Sequence, residues 1–256
     1  MIDNRGSNAL FWSNTIDAPA DRAVVLFSGG RDSTLAAVRC IINGQHPILI
    51  NFDTGFGTGR SLVNNRIDEL EDCFGKDRIT FGNVPIYGLV RSVACRDLVE
   101  DVQKYGANLI PLGESLAMHA AAIVIAKQLS ASHVVNGFSG YQSNLPEQIP
   151  TSISTIRRFV ESYDIKLITP LAKSTYVQDV QYELIQYGIT PKSLESVSIF
   201  ADCCEPVEDE VSVIDYIESK LPILGEFVQR LIGADLESNY DHAIGPSISD
   251  REIPIE

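Results

Sequence analysis

Ala23-Val24-Val25-Leu26-Phe27-Ser28-Gly29-Gly30-Arg31-Asp32-Ser33-Thr34 carries an apolar strand through a Ser-Gly-Gly turn into a helix that continues Leu35-Ala36-Ala37-Val38-Arg39-Cys40-Ile41-Ile42. Anions bind well at such a junction. Two glycines let the backbone approach closely, and the amides that open a helix have no acceptor within it. Ser28, Ser33 and Thr34 add hydroxyl donors. Asp32 repels a bare phosphate and makes sense as the ligand of a Mg²⁺ ion set between the two. The run is not a Walker A loop, which needs four residues between its glycines followed by Lys-Ser/Thr, and it is not Gly-x-Gly-x-x-Gly.

Outward from this turn, apolar runs at 23–27, 47–52, 79–85, 133–138 and 165–170 predict strands. Helical patterns fill 33–43, 60–74, 89–105, 115–129, 151–162 and 175–187. Alternation of this kind predicts βαβ units and a five-stranded parallel sheet sandwiched by helices, with ligands beyond the carboxyl ends of the strands. Ser28, Asp53, Gly137 and Pro170 all fall at such ends. Past Cys204 the pattern changes: 211–217 and 224–232 predict one or two amphipathic helices, broken near Pro222 and Gly225. The division read from the chain is an N-terminal extension over 1–22, an α/β domain over 23–204 and an acidic helical extension over 205–256.

At 256 residues and 45% hydrophobic content, the chain can bury a full core for such a domain. No apolar run approaches about 20 residues, so no membrane span is expected. The polar N-terminus does not read as a signal peptide. Five cysteines without framework spacing fit a reducing cytoplasm. The net charge of −14 is uneven, because 205–256 holds 13 acidic residues against Lys220, Arg230 and Arg251. An acidic surface disfavours nucleic acid, and the acidic C-terminal region is either a solvated face or a docking surface for a protein partner.

Four further stretches complete the candidate site. Asn51-Phe52-Asp53-Thr54-Gly55 ends the second strand, placed to hold adenine through its backbone while Asp53 reaches a ribose hydroxyl. Pro111-Leu112-Gly113-Glu114 reads as a turn before a small-residue helix, in which Met118 and His119 are packing residues rather than ligands. Asn136-Gly137-Phe138-Ser139-Gly140-Tyr141-Gln142 and Leu145-Pro146-Glu147-Gln148 form a loop of the kind that carries substrate contacts. Phe138 or Tyr141 would stack on a planar heterocycle, and Glu147, Gln142 or Gln148 would bond its edge. In Thr169-Pro170-Leu171-Ala172-Lys173, the Lys173 cation would serve a triphosphate for which the first turn has no lysine, with Arg31 as the other candidate.

Ser28-Gly29-Gly30-Arg31-Asp32-Ser33 resembles the PP-loop of the N-type ATP pyrophosphatases, which cleave ATP between its α and β phosphates. With the later stretches in order, residues 23–204 resemble the 7-cyano-7-deazaguanine synthase branch of that family. The resemblance implies a Rossmann-like, adenine nucleotide α-hydrolase-like fold. It also implies ATP and Mg²⁺ as cofactors, a homodimer, and adenylation of 7-carboxy-7-deazaguanine followed by attack of ammonia. Leu26, Phe27, Ser28, Gly29, Gly30, Asp32, Ser33, Thr34, Asn51, Phe52, Asp53 and Gly137 would then contact nucleotide. Asp32, Ser33, Arg31 and Lys173 would carry the chemistry, Asp32 would hold the metal, and Phe138, Tyr141, Glu147, Gln148 and Glu114 would meet the substrate.

The chain departs from that branch at three places. The family's Pro-x-Arg-Asn reads Pro111-Leu112-Gly113-Glu114, and its acid-Cys-Arg reads Glu147-Gln148-Ile149. Its zinc cysteines are reduced to the adjacent pair Cys203-Cys204, which cannot close a Cys₄ site, so no structural zinc is expected. These departures point to an altered acceptor or carboxylate. The alternatives are conjugation of a deazaguanine to a macromolecule, thiolation of tRNA, and nucleotide binding without turnover as a partner protein.

Overall fold

The computed structural model describes residues 21–58, 61–195, 197–199 and 209–233. Cys203, Cys204 and most of the N-terminal extension lie outside the described residues, as does the acidic stretch beyond 233. In chain order the elements are β1 (Arg22–Leu26), α1 (Arg31–Ile42), β2 (His46–Asp53), β3 (Gly57–Thr58) and α2 (Ser61–Phe74). There follow β4 (Thr80–Pro85), α3 (Tyr87–Val90), a π-helical stretch (Arg91–Cys95), α4 (Leu98–Tyr105) and α5 (Ile110–Gln128). The last are β5 (His133–Val135), α6 (Pro150–Glu161), β6 (Lys166–Ile168), α7 (Val177–Gln186), β7 (Val197–Ser198) and α8 (Glu210–Gly233).

Five strands pair in the order β4-β2-β1-β5-β6, all parallel. The fold is Rossmann-like α/β. Strand residues alternate between its two faces, as a period of two demands. Val24, Ile48, Ile50, Val134 and Leu167 pack with α5, α6 and α8 on one face. Ala23, Val25, Leu49 and Val135 pack with α1, α2 and α7 on the other. Covering both faces explains why the strands read as continuous apolar runs. The chain steps from β1 to β2 on one side, and β5 pairs with β1 on the other. The carboxyl end of β1 is therefore the switch point at which such sheets bind ligands. A second pairing, β3 with β7, is an antiparallel ribbon of two residues each.

Four expectations are corrected. Pro111-Leu112-Gly113 is no turn: Pro111 stands in the first turn of α5, and Gly113 lies inside the helix. Proline is tolerated there because that amide has no helical acceptor. A Cβ on Gly113 would meet the Ala94 Cβ at 2.6 Å and the Tyr216 hydroxyl at 2.7 Å, so the glycine answers packing rather than turning.

The helix expected over 89–105 is three pieces, because the π-helical stretch turns Val93 and Ala94 inward against α5. The C-terminal helix does not break at Pro222 or Gly225. Its buried stripe of Val213, Tyr216, Ile217, Lys220, Leu224 and Val228 runs past Pro222, and packing along it outweighs one lost backbone bond. Finally, α5 is a 19-residue helix long and apolar enough to cross a membrane by length and composition. In this fold 83% of its apolar window is buried, the position of a core helix.

Candidate functional site

The turn between β1 and α1 is held by its own hydroxyls. The Ser28 amide donates to Ser33 Oγ (3.2 Å), the Gly30 amide to Ser28 Oγ (3.2 Å) and the Ser33 hydroxyl to the Gly30 carbonyl (3.2 Å). The Thr34 hydroxyl reaches the same carbonyl at 2.6 Å. Gly29 has φ +80°, a conformation that L side chains rarely adopt, and a Cβ there would stand 2.9 Å from the Leu194 carbonyl. Gly30, which has no side chain, caps α1 without a side-chain bond.

Asp32 is held from across the sheet. The Tyr141 hydroxyl lies 2.6 and 2.7 Å from its two carboxylate oxygens. Burial pushes the Asp32 carboxyl above the usual range and the nearby Glu195 adds to that, whereas the Tyr141 hydroxyl and Arg31 pull it down. Burial, followed by the Asp32 carboxylate, drives the Tyr141 phenol well above its ordinary value, so it stays a donor. The sequence suggested stacking for Tyr141, and the fold employs its hydroxyl.

For Mg²⁺ the test is the donor set. No group of three or more His, Cys, Asp or Glu positions for a metal ion exists among the described residues. One carboxylate beside hydroxyls is an oxygen-only set of the kind Mg²⁺ accepts when phosphate oxygens and waters supply the remaining positions. Asp32 fits that role.

Three residues from later in the chain hold the turn. Arg66 on α2 is fully buried. Its guanidinium donates to the carbonyls of Gly29 (3.4 Å), Thr190 (2.9 Å) and Lys192, and it pairs with Glu69 at 2.5 Å. The Leu194 amide also donates to the Gly29 carbonyl, at 3.2 Å. Glu195 accepts from the Ser28 hydroxyl at 3.4 Å. Neither Arg66 nor Glu195 stood out in the sequence. An arginine on a helix face reads as solvated until the segment that covers it is known.

The loop after β5 closes against the helix start. A Cβ on Gly137 would lie 2.7 Å from the Ser33 amide nitrogen, so only glycine lets the loop approach. Beyond it, the Ser139 amide donates to Gln148 Oε1 (2.9 Å), and Gln142 Oε1 accepts from both the Ser139 hydroxyl and the Gln148 amide group. Gln142 and Gln148 thus hold the loop together. Phe138 packs beside His119, their ring centroids 5.7 Å apart. His119 is fully buried; its Nδ1–H donates to the Ser115 carbonyl (2.7 Å) and its Nε2 accepts from Asn136 (3.1 Å). Burial pushes its pKa down to about 4, so it is neutral.

Two carboxyl groups sit deeper. Glu114 is buried and accepts from the Ser198 hydroxyl at 3.1 Å. Burial raises its pKa, against the pull of the Thr54 and Ser198 hydroxyls. Glu147 is raised by burial and further by the nearby Glu114. Its Oε2 is buried without a hydrogen-bond partner in the described structure.

Asn51 donates to the Phe27 carbonyl (3.0 Å), and the Phe27 amide bonds the Ile50 carbonyl (2.8 Å). Leu26 and Phe27 are buried in the core, and Phe52 packs against it. Asp53 Oδ1 accepts from the Gly55 amide at 2.9 Å. Lys173 is exposed in the turn after β6, and the flanking carbonyls of Ala172 and Ser174 press on Gly140. The fold therefore brings Ser28–Thr34, Gly137 and Tyr141 into direct contact, with Lys173 in a turn that touches the same loop.

Neither a protein-family model nor a curated protein matches this chain. Among solved structures it is similar to a 4-thiouridine synthetase determined in complex with RNA and with bound ATP, at 18% identity and a TM-score of 0.60. That match covers 84% of this chain and 54% of the synthetase, so this chain spans about half of its length. A second match is the predicted subunit of a tRNA methyltransferase from Methanocaldococcus jannaschii, at 21% identity. It covers 66% of this chain and 90% of that one with a TM-score of 0.41, too slight to carry an argument. The likeness to the synthetase is one of fold.

Proposed function

We propose that this chain is an ATP-using enzyme of the PP-loop type, which cleaves ATP to AMP and pyrophosphate while adenylating a carboxylate. The observation that carries the reading is the turn Ser28–Thr34 at the sheet's switch point, with Asp32 oriented by Tyr141. The ATP bound in the structurally similar synthetase agrees with it.

In this reading the amides that open α1 hold the departing pyrophosphate. Asp32 would hold Mg²⁺, which when bound neutralises phosphate charge. Arg31 and Lys173 steady the charge that develops as the α–β bond breaks. The substrate carboxylate attacks the α-phosphorus, and an amine then displaces AMP. No side-chain nucleophile is required.

The carboxylate we assign is 7-carboxy-7-deazaguanine or a close relative, with ammonia or another amine as acceptor. The order of motifs along the chain supports it. So do the buried Glu114 and the half-buried Glu147, whose carboxyls suit the donor edge of a guanine-like ring. We place the enzyme in the cytoplasm, on its cysteine usage, and expect it to act as a homodimer.

The test is chromatography of the products of ATP with Mg²⁺, 7-carboxy-7-deazaguanine and ammonium, beside Asp32→Ala. AMP and pyrophosphate with a new amide or nitrile, lost in Asp32→Ala, are expected. ADP as product overturns the reading. AMP formed only when a protein or nucleic acid is added moves the acceptor to that macromolecule. Loss of AMP formation in a Cys203→Ser/Cys204→Ser double variant would favour thiolation instead.

A further inference from the structure

The segment 190–195 crosses the mouth of the Ser28–Thr34 turn, and its anchorage is specific. Arg66 bonds the carbonyls of Thr190 and Lys192 from below, and the Leu194 amide bonds the Gly29 carbonyl. Just beyond, β7 pairs with β3, Gly57 opposite Ser198 and Thr58 opposite Val197. Held at both ends, the segment delivers one charged side chain to the turn. A Cβ on Gly30 would stand only 2.5 Å from Glu195 Oε2, so this carboxylate lies directly against the glycine backbone. Its Oε2 takes the Ser28 hydroxyl (3.4 Å), and its Oε1 takes the Ser193 hydroxyl (2.6 Å), which aims it.

A carboxylate resembles a phosphate edge. It is planar, anionic, and accepts from the same hydroxyls and amides. It also stands close enough to Asp32 to repel its charge. We propose that residues 190–195 form an autoinhibitory strap, which seats the Glu195 carboxylate in the phosphate cradle and must be displaced before a nucleotide triphosphate can bind. This deepens the nucleotide reading given above and rests on it.

A competing anion and a metal ligand differ in the sign of their effect. If Glu195 helped Asp32 to hold a cation, its removal would weaken Mg²⁺–ATP binding. As a competitor, its removal tightens binding, because a negative charge leaves the phosphate site.

The experiment is calorimetric titration of Mg²⁺–ATP, and of Mg²⁺–pyrophosphate, into the full chain and its Glu195→Gln, Glu195→Ala and Ser193→Ala variants. We expect Kd to fall roughly tenfold in both Glu195 variants, the scale on which one partly screened charge acts at close range. A smaller fall in the same direction is expected for Ser193→Ala, which loses only the aiming bond. Hydrogen exchange at the Leu194 amide should speed up in the wild-type chain at saturating nucleotide. Unchanged or weaker binding in Glu195→Gln, with its thermal midpoint intact, overturns the proposal. If neither the wild-type chain nor any variant binds ATP or pyrophosphate, the nucleotide reading itself fails and the strap loses its role with it.

Discussion

The Tyr141 hydroxyl sits 2.6 and 2.7 Å from the two carboxylate oxygens of Asp32, a residue 109 positions earlier in the chain. One donor spans both oxygens, so the carboxylate is fixed in orientation, and the bond opposes the upward push of burial on its pKa. The side chain that positions the expected metal ligand thus comes from the loop after β5, not from the turn itself.

Tyr141→Phe removes that donor and leaves the ring. The Asp32 carboxyl then rises further, since burial and Glu195 act unopposed by the hydroxyl. Cation binding needs the ionised form, so the acidic limb of the rate profile for ATP cleavage should move to higher pH. Activity well above the limb should suffer less than activity near it. An unshifted limb would show that Tyr141 does not govern Asp32.

Gly137→Ala places a methyl 2.7 Å from the Ser33 amide nitrogen and 2.9 Å from the Asp32 carbonyl carbon. Both neighbours are backbone, so either the loop or the helix start has to move. We expect a loss of about 2 kcal/mol in urea unfolding, typical of overpacking. Nucleotide binding should fall by more than that loss of stability explains.

Arg66→Ala strips donors from the carbonyls of Gly29, Thr190 and Lys192 and leaves Glu69 unpaired. A destabilisation of about 3 kcal/mol is expected, because the partly buried Thr190 and Lys192 carbonyls lose this donor and the Gly29 carbonyl keeps only the Leu194 amide. Arg66→Lys should recover only part of it, since an ammonium cannot bridge three carbonyls on a planar fork. Denaturant midpoints of the three proteins decide the matter. Equal midpoints for Arg66→Lys and wild type would count against the bracing role.

His119 gives the fold a defined response to acid. Unfolded histidine takes up its proton near pH 6.5, but burial holds the native ring neutral down to about 4. Between those values the unfolded chain binds the extra proton, so stability contributed by the neutral ring is present above pH 6.5 and lost as pH falls toward 4. The loss from this residue amounts to about 3 kcal/mol. In His119→Gln the slope from this residue is absent. The stability gap between wild type and variant should therefore shrink as pH drops from 7.5 to 4.5, and a constant gap would refute this account.

Much of this molecule was legible along the chain because its signals are local. An all-apolar strand, two glycines and three hydroxyls lie within twelve consecutive residues at 23–34, and they dictate strand, turn and helix start without outside help. Alternating apolar runs likewise predict the parallel sheet, since strands covered on both faces leave no polar alternation. Where local signals misled, packing had overruled them. Pro222 reads as a helix break, but the stripe through Tyr216, Lys220 and Leu224 carries α8 across it. Gly113 reads as a turn, but it makes room for Ala94 and Tyr216.

The contacts that make the turn a site were decided by the fold alone. Tyr141 reaches Asp32 across 109 positions, Thr190 receives Arg66 across 124, and Glu195 meets Ser28 across 167. No spacing rule links residues so far apart, because their meeting depends on strand order and on how a returning segment crosses the sheet's end. Composition and periodicity specify which surfaces seek burial. Only the assembled sheet specifies which distant side chains share the space left at its carboxyl edge, and therefore which carboxylate is oriented and which one blocks.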